Sequence, residues 1–238
     1  MTIEMRAVET VHEDSVFKAM LAFDPAAGPR PAVLIFHSWA GRSEAEDSVA
    51  RRMAELGYAG LACDLYGKGK RGTNKEQCEA LMNPLMADRA KLQSRLLHWV
   101  ERARALPEVD GNRVAALGFC FGGLCALDLA RTGVDIAGVA SFHGLLGAPG
   151  NREGTPVRAR IIAFHGWGDP KAPPDHVTAL GEELTRSGAD WQVHAYGGTM
   201  HAFTNPKAAD PDAGLLYNPT AASRAWTSFE AFLAEIFS

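Results

Sequence analysis

The sequence predicts an α/β fold: a mostly parallel central sheet with helices on both faces. Three observations carry that expectation. Short apolar runs alternate with amphipathic stretches from one end of the chain to the other. The runs at 32–36 and 114–117 are apolar without alternation, as strands covered on both faces are. Cap and stop residues fall between them. Ser43 with Glu46 three positions on resembles a capping box, and Gly57, Gly133 and Gly188 stand where helices should end.

In chain order, residues 8–23 read as two short strands around Glu13-Asp14-Ser15, and residues 24–31 as a Pro/Gly/Ala turn. A strand at 32–36 precedes a helix on which Val49, Met53 and Leu56 share a face, then a strand at 58–63. A helix is expected near 87–105, a strand at 113–117, a helix after Gly122, and strands at 136–142 and 160–164. Pro174 opens a helix to Ser187 with Val177, Leu180 and Leu184 on one face; a strand at 192–196 follows. Pro219 opens the last helix, where Ala222, Trp226, Phe229, Leu233 and Ile236 align. Segments 66–85 and 197–218 read as long irregular loops, which in compact α/β domains are often functional.

Composition narrows the function. The chain has 238 residues, 47% hydrophobic and 22% charged, enough for one large domain over residues 1–238 with its own core. With 24 basic and 28 acidic residues the net charge is −4, so nothing favours a nucleic-acid partner. No apolar run approaches the roughly 20 residues a membrane span needs, and the N-terminus has no signal-peptide pattern. The four cysteines, Cys63, Cys78, Cys120 and Cys125, lack CxxC spacing and suit free thiols in a reducing, cytoplasmic setting. No His/Asp/Glu cluster has metal-ligand spacing, and Gly67-Lys68-Gly69-Lys70 lacks the ending of a phosphate loop. No cofactor or metal is expected; the expected partner is a small-molecule substrate, and the expected state a monomer or homodimer.

The chemistry concentrates at Gly118-Phe119-Cys120-Phe121-Gly122-Gly123. An apolar strand precedes it and an apolar helix follows, as a G-x-Nu-x-G nucleophile elbow requires, with Cys in place of the commoner Ser. The glycines let strand and helix approach closely. The turn places Cys120 at a helix N-terminus, whose positive end and N–H groups favour a thiolate. The Phe121 N–H would point at a developing oxyanion. A triad then needs an acid and a histidine later in the chain, in that order. Asp169 follows the strand at 160–164 and can orient a histidine Nδ1–H. His201 follows the strand at 192–196 in a glycine-bearing loop, as a mobile general base should. Cys63 and Cys78 read as structural and Cys125 as core. His37 and His143 end apolar strands and are candidates to line the pocket, but read first as core or hinge residues, and His165 as a support of the Asp169 loop. His12, His98, His176 and His194 read as surface or partly buried positions.

These residues, with Val33-Leu34-Ile35-Phe36-His37, Asp64-Leu65-Tyr66-Gly67, the His165-Gly166-x-x-Asp169 pattern and His201-Ala202-Phe203, make the sequence resemble the dienelactone hydrolase family over nearly its whole length. The resemblance implies an α/β-hydrolase fold and a triad of Cys120, His201 and Asp169. It implies hydrolysis of an ester or lactone through an acyl-enzyme, with the Trp39 N–H as second oxyanion donor. The chain departs from the family at Ser38, where dienelactone hydrolases carry a Glu that pairs with the resting cysteine. His201 alone is therefore expected to generate the thiolate. Family members that take dienelactone hold its carboxylate with arginines, and Arg89 is the candidate here. Ser38, Arg89 and Phe203 are the candidate substrate-binding residues. Trp39, Phe121, Phe142, Trp167 and Phe203 suggest a largely hydrophobic pocket. Lys68, Lys70, Arg71 and Lys75 read as a solvated basic loop.

Two other classes compete. A non-catalytic α/β-hydrolase-fold protein that binds small molecules would be favoured by a missing triad member, and none is missing. A thiol redox protein would need a resolving cysteine near Cys120, and Cys125 lies inside a helix.

Overall fold

The computed structural model describes residues 2–238. The chain divides into two compact units, the first ending at Leu117 and the second spanning Gly118–Ser238. In the first, β1 (Glu4–His12) and β2 (Ser15–Phe23) form an antiparallel hairpin that turns at Glu13-Asp14. Then come β3 (Arg30–Phe36), α1 (Glu44–Glu55), β4 (Ala59–Cys63), α2 (Lys75–Ala87), α3 (Arg89–Arg104) and β5 (Val109–Phe119), which runs past the boundary. The second holds α4 (Phe121–Arg131), β6 (Gly138–Phe142), β7 (Arg160–Gly166), α5 (Pro174–Arg186), β8 (Trp191–Tyr196), the short β9 (Ala209–Asp210) and β10 (Leu215–Leu216), and α6 (Pro219–Ile236). The sheet order is β1-β2-β4-β3-β5-β6-β7-β8. Strands β3 and β4 pair in parallel, as do β6 with β7 and β7 with β8, whereas β1/β2 and β2/β4 are antiparallel. The mostly parallel sheet with helices is the one that the alternation of strands and helices foretold, and the fold is the α/β-hydrolase type that the family resemblance implied.

Burial explains the strand patterns. Every residue of β4 and β6 is buried, as is all of β3 and β7 beyond the first residue, so these strands read as unbroken apolar runs. The edge strand β8 is only partly covered.

Three expectations need correction. The segment 66–85 is not one irregular loop, because α2 occupies its second half. Gly67, Gly69 and Gly72 precede it and Pro84 lies inside it, and it buries only Cys78 and Leu85, so its apolar stripe is too thin to read. Asn74 starts it by accepting from the Gln77 N–H at 2.9 Å. On α1 the buried residues are Glu46, Ala50, Met53 and Ala54, while Leu56 is 40% exposed. Close packing on β4 selects small residues: a Cβ on Gly60 would strike the Ala50 carbonyl. The capping box itself is present, with the Ser43 N–H donating to Glu46 Oε2 at 2.8 Å. The segment 197–218 carries the β9/β10 ribbon, and its effect on His201 is described next.

Candidate active site

Strand β5 delivers the chain to Cys120, and α4 leaves from it. Cys120 adopts φ 56° and ψ −116° as the N-cap of α4, a region L-residues avoid. Its N–H donates to the Phe142 carbonyl at 3.1 Å, and its carbonyl accepts from the Gly123 N–H at 3.0 Å. Only glycine fits at 118, where a Cβ would collide with the Gly122 carbonyl. Three of the four non-glycine residues with positive φ among those described, Cys120, His143 and Ala202, lie at or beside the predicted triad.

The strain has a measurable consequence. Cys120→Gly should melt a few degrees above Cys120→Ala. Relief of about 1–3 kcal/mol of backbone strain exceeds the roughly 0.5–1 kcal/mol entropic cost of glycine. Paired thermal melts check this, and a Cys120→Gly melting point at or below that of Cys120→Ala would refute it.

Asp169 sits in the turn after β7 and His201 in the loop after β8. His201 Nδ1 lies 2.6 Å from Asp169 Oδ2, and both residues are buried. The other carboxylate oxygen, Oδ1, accepts from the Lys171 N–H at 2.8 Å. The loop of His201 is tied by backbone hydrogen bonds on both sides of that residue. The His201 N–H donates to the Gly214 carbonyl at 3.0 Å, and the His201 carbonyl accepts from the Leu216 N–H at 3.2 Å. With Nδ1 taken by Asp169, Nε2 is the nitrogen of His201 left for Cys120. Burial pushes the His201 imidazole pKa down, but hydrogen bonding to Asp169 and Cys120, with their charges, outweighs it and pushes the pKa up to about 9.

His143 is a neighbour that sequence reasoning left in the core. Its ring centroid lies 5.3 Å from that of His201. Burial first, and the charge of His201 second, hold its pKa well below the ordinary histidine value. Its position at the C-terminal end of a buried parallel strand was the available signal, since functional residues of open α/β sheets gather there. His165 is also buried, with neither ring nitrogen hydrogen-bonded among the described residues. Burial lowers its pKa, Asp169 opposes that, and His201 adds to it.

Phe121, the first residue of α4, is fully buried, as are Phe142 and Phe203, while Trp167 is 48% exposed. Phe203 packs on His143 and Tyr196 at centroid distances of 5.4 and 5.5 Å. Ser38, Trp39 and Arg89 belong to the first unit. The Ser38 carbonyl accepts from His37 Nδ1 at 2.7 Å, the Trp39 carbonyl from the Tyr66 hydroxyl at 2.9 Å, and half-buried Arg89 begins α3. The thiols of Cys63, Cys78 and Cys125 are buried; Cys120 is partly accessible. Burial pushes the Cys63 and Cys78 thiols up. A cavity of about 590 Å³ in the second unit, lined by Arg131, Leu146, Pro149, Arg152, Glu183 and Arg186 among others, includes no triad residue. Among the described residues no helix is long and apolar enough to cross a membrane, and no three His, Cys, Asp or Glu side chains are grouped as metal ligands are.

Comparison with known proteins places this geometry. The model of the dienelactone hydrolase family matches residues 17–237. A solved structure named m3DLH is 35% identical, covers 99% of both chains and superposes with a TM-score of 0.93. A dienelactone hydrolase-like promiscuous phosphotriesterase, P91 from metagenomic libraries, is 32% identical over 98% of both chains with a TM-score of 0.91. The Caenorhabditis elegans protein K02A2.1 is 36% identical over 154 residues, 62% of this chain and 96% of its own length. The chain belongs to the dienelactone hydrolase family and is an ester or lactone hydrolase.

Proposed function

We propose that Cys120 is the nucleophile of this hydrolase and that the reaction passes through a Cys120 acyl-enzyme, with residues 1–238 acting as one domain. The observation that supports the reading most is the buried 2.6 Å contact between His201 Nδ1 and Asp169 Oδ2, set beside a cysteine held at a strained elbow. In the resting enzyme the thiol proton resides on His201 Nε2, giving a thiolate–imidazolium pair. With Ser38 where the family carries Glu, no carboxylate at that position competes for the thiol.

The thiolate attacks the ester or lactone carbonyl carbon and forms the C–S bond, and the carbonyl π electrons move onto oxygen. The Phe121 N–H stabilises that oxyanion, an effect worth on the order of 3 kcal/mol. Collapse breaks the C–O bond, and the leaving oxygen takes the proton from Nε2. With Cys120 now a neutral thioester, its hydrogen bond and charge no longer raise the imidazole, and only Asp169 still opposes the lowering by burial. His201 is then a competent base. It takes a proton from water, whose oxygen adds to the thioester carbonyl, and collapse expels the Cys120 thiolate and regenerates the ion pair.

The direction of the His201 shift sets the pH dependence. A pKa raised to about 9 keeps the imidazolium, the acid of the first step, protonated through neutral pH. The expected kcat/KM is flat through pH 8 and falls as pH rises through about 9. A profile that instead declines from pH 6.5 upward would contradict the ion pair.

The deciding experiment is hydrolysis of a short-chain p-nitrophenyl ester by wild type and Cys120→Ala, with dienelactone in parallel. Ester activity that vanishes in the variant supports the cysteine mechanism, and the parallel rate reports what Ser38 does to dienelactone turnover. Activity that survives Cys120→Ala would overturn the assignment.

A further inference from the structure

We propose that His143 is a positioning residue for His201: tethered to Thr204, its ring packs edge-on against the catalytic imidazole and sets the rotation that turns Nε2 toward Cys120. The inference rests on the triad reading above and adds a residue to it.

The hydrogen bond to Asp169 restrains only the Nδ1 side of His201. One hydrogen bond is a pivot, and the ring can still tilt about it. A contact that limits tilting comes from His143, whose ring meets His201 at 5.3 Å between centroids and 67° between planes. His143 is itself held from several sides. Its N–H donates to the Phe164 carbonyl at 2.8 Å, its ring lies against Phe203 at 5.4 Å and Phe119 at 6.0 Å, and its Nε2 is 2.8 Å from Thr204 Oγ1. Thr204 stands three residues after His201, beyond Ala202, another residue with positive φ. One side chain thus braces both the imidazole and the loop that carries it.

Core filling does not explain this residue. It is 3% exposed, takes φ 40°, and leaves Nδ1 without a hydrogen bond among the described residues. A phenylalanine would fill the space with no stranded nitrogen. Strain and an unsatisfied polar atom persist where function needs them. An imidazole also suits a ring that must sit beside a cation. His201 is the charged group acting on His143, and a permanently charged side chain at 143 would repel the imidazolium.

The test compares wild type, His143→Phe, Thr204→Val and Thr204→Ser, each confirmed folded by near-UV circular dichroism. Ester kinetics are measured alongside NMR titration of the His201 imidazole without substrate. The expected result for His143→Phe and Thr204→Val is a kcat loss of about tenfold to a hundredfold with KM within about twofold, and a His201 titration moved below its wild-type midpoint as Nε2 swings away from Cys120. Thr204→Ser, which restores the hydroxyl, should recover most of kcat. Unchanged kcat and an unchanged His201 titration in His143→Phe would overturn the proposal. If His143→Phe does not fold, the same outcomes in Thr204→Val decide. If Cys120→Ala retains hydrolysis, the triad reading fails by itself, and the substrate-free titration still decides whether His143 orients His201.

Discussion

Asp169→Asn is expected to lower kcat on the order of 10⁴-fold with little change in folding. The reason lies in the second oxygen of the carboxylate. Asp169 Oδ1 accepts from the Lys171 N–H at 2.8 Å, while Oδ2 meets His201 Nδ1 at 2.6 Å. In an asparagine the oxygen must keep the Lys171 contact, since an amide N–H facing another N–H would be repelled. The NH2 group then points at His201 Nδ1 and demands a lone pair there. The imidazole switches to the tautomer with its proton on Nε2, facing Cys120, and can no longer take the thiol proton. With the carboxylate gone, its hydrogen bond and charge no longer raise the imidazole against the effect of burial. Steady-state kinetics on the ester, with iodoacetamide labelling of Cys120, check both parts. Both rates should fall together; a loss of kcat below about tenfold would mean Asp169 does not orient His201.

Arg131→Met is expected to be the most destabilising substitution in the second unit, by about 3–5 kcal/mol. Arg131 closes the C-terminal end of α4, the helix whose N-terminus holds Cys120. Every residue of that helix is buried, two charged ones included. The guanidinium meets Glu183 with two hydrogen bonds, from Nε and Nη2, both at 2.8 Å. It also reaches Asp128 Oδ1 at 3.2 Å and the carbonyls of Leu146 and Gly147 at 2.9 and 3.3 Å. Removing it takes a charged partner from a fully buried carboxylate and a donor from each of two carbonyls. A melting point lower by on the order of 10 °C is the expected readout for a chain of this size. A double variant that also replaces Asp128 with Leu should regain part of the loss, because a buried carboxylate that has lost a charged partner is the costly element. A melting point within about 2 °C of wild type would show that the pair contributes nothing net.

The elbow was legible because its requirements are local. Gly118, Cys120 and Gly122 must stand in that spacing between a strand and a helix, and both elements announce themselves by composition. The order Cys120, Asp169, His201 was legible because each residue follows its own apolar strand, and parallel strands bring their C-terminal ends to one edge. Helix α2 was not legible, because it buries only Cys78 and Leu85 and carries Pro84. The buried face of α1 was misjudged at Leu56, because the helix packs on β4 through Ala50 and Ala54, and a pattern rule favours the larger side chain.

By itself, then, the sequence determined the fold class and the family and singled out the three residues that the proposed mechanism uses, since each depends on motifs and spacing within a strand–turn–helix unit or on order along the chain. Only the tertiary structure decided which groups surround them. The pinning of His201 by Gly214 and Leu216, the brace from His143 and Thr204, and the Arg131–Glu183 pair join residues that lie from 13 to 61 positions apart, the widest being His143 and Thr204. Contacts of that range leave no periodic mark in a sequence, because they are set by how elements pack and not by how any one element forms.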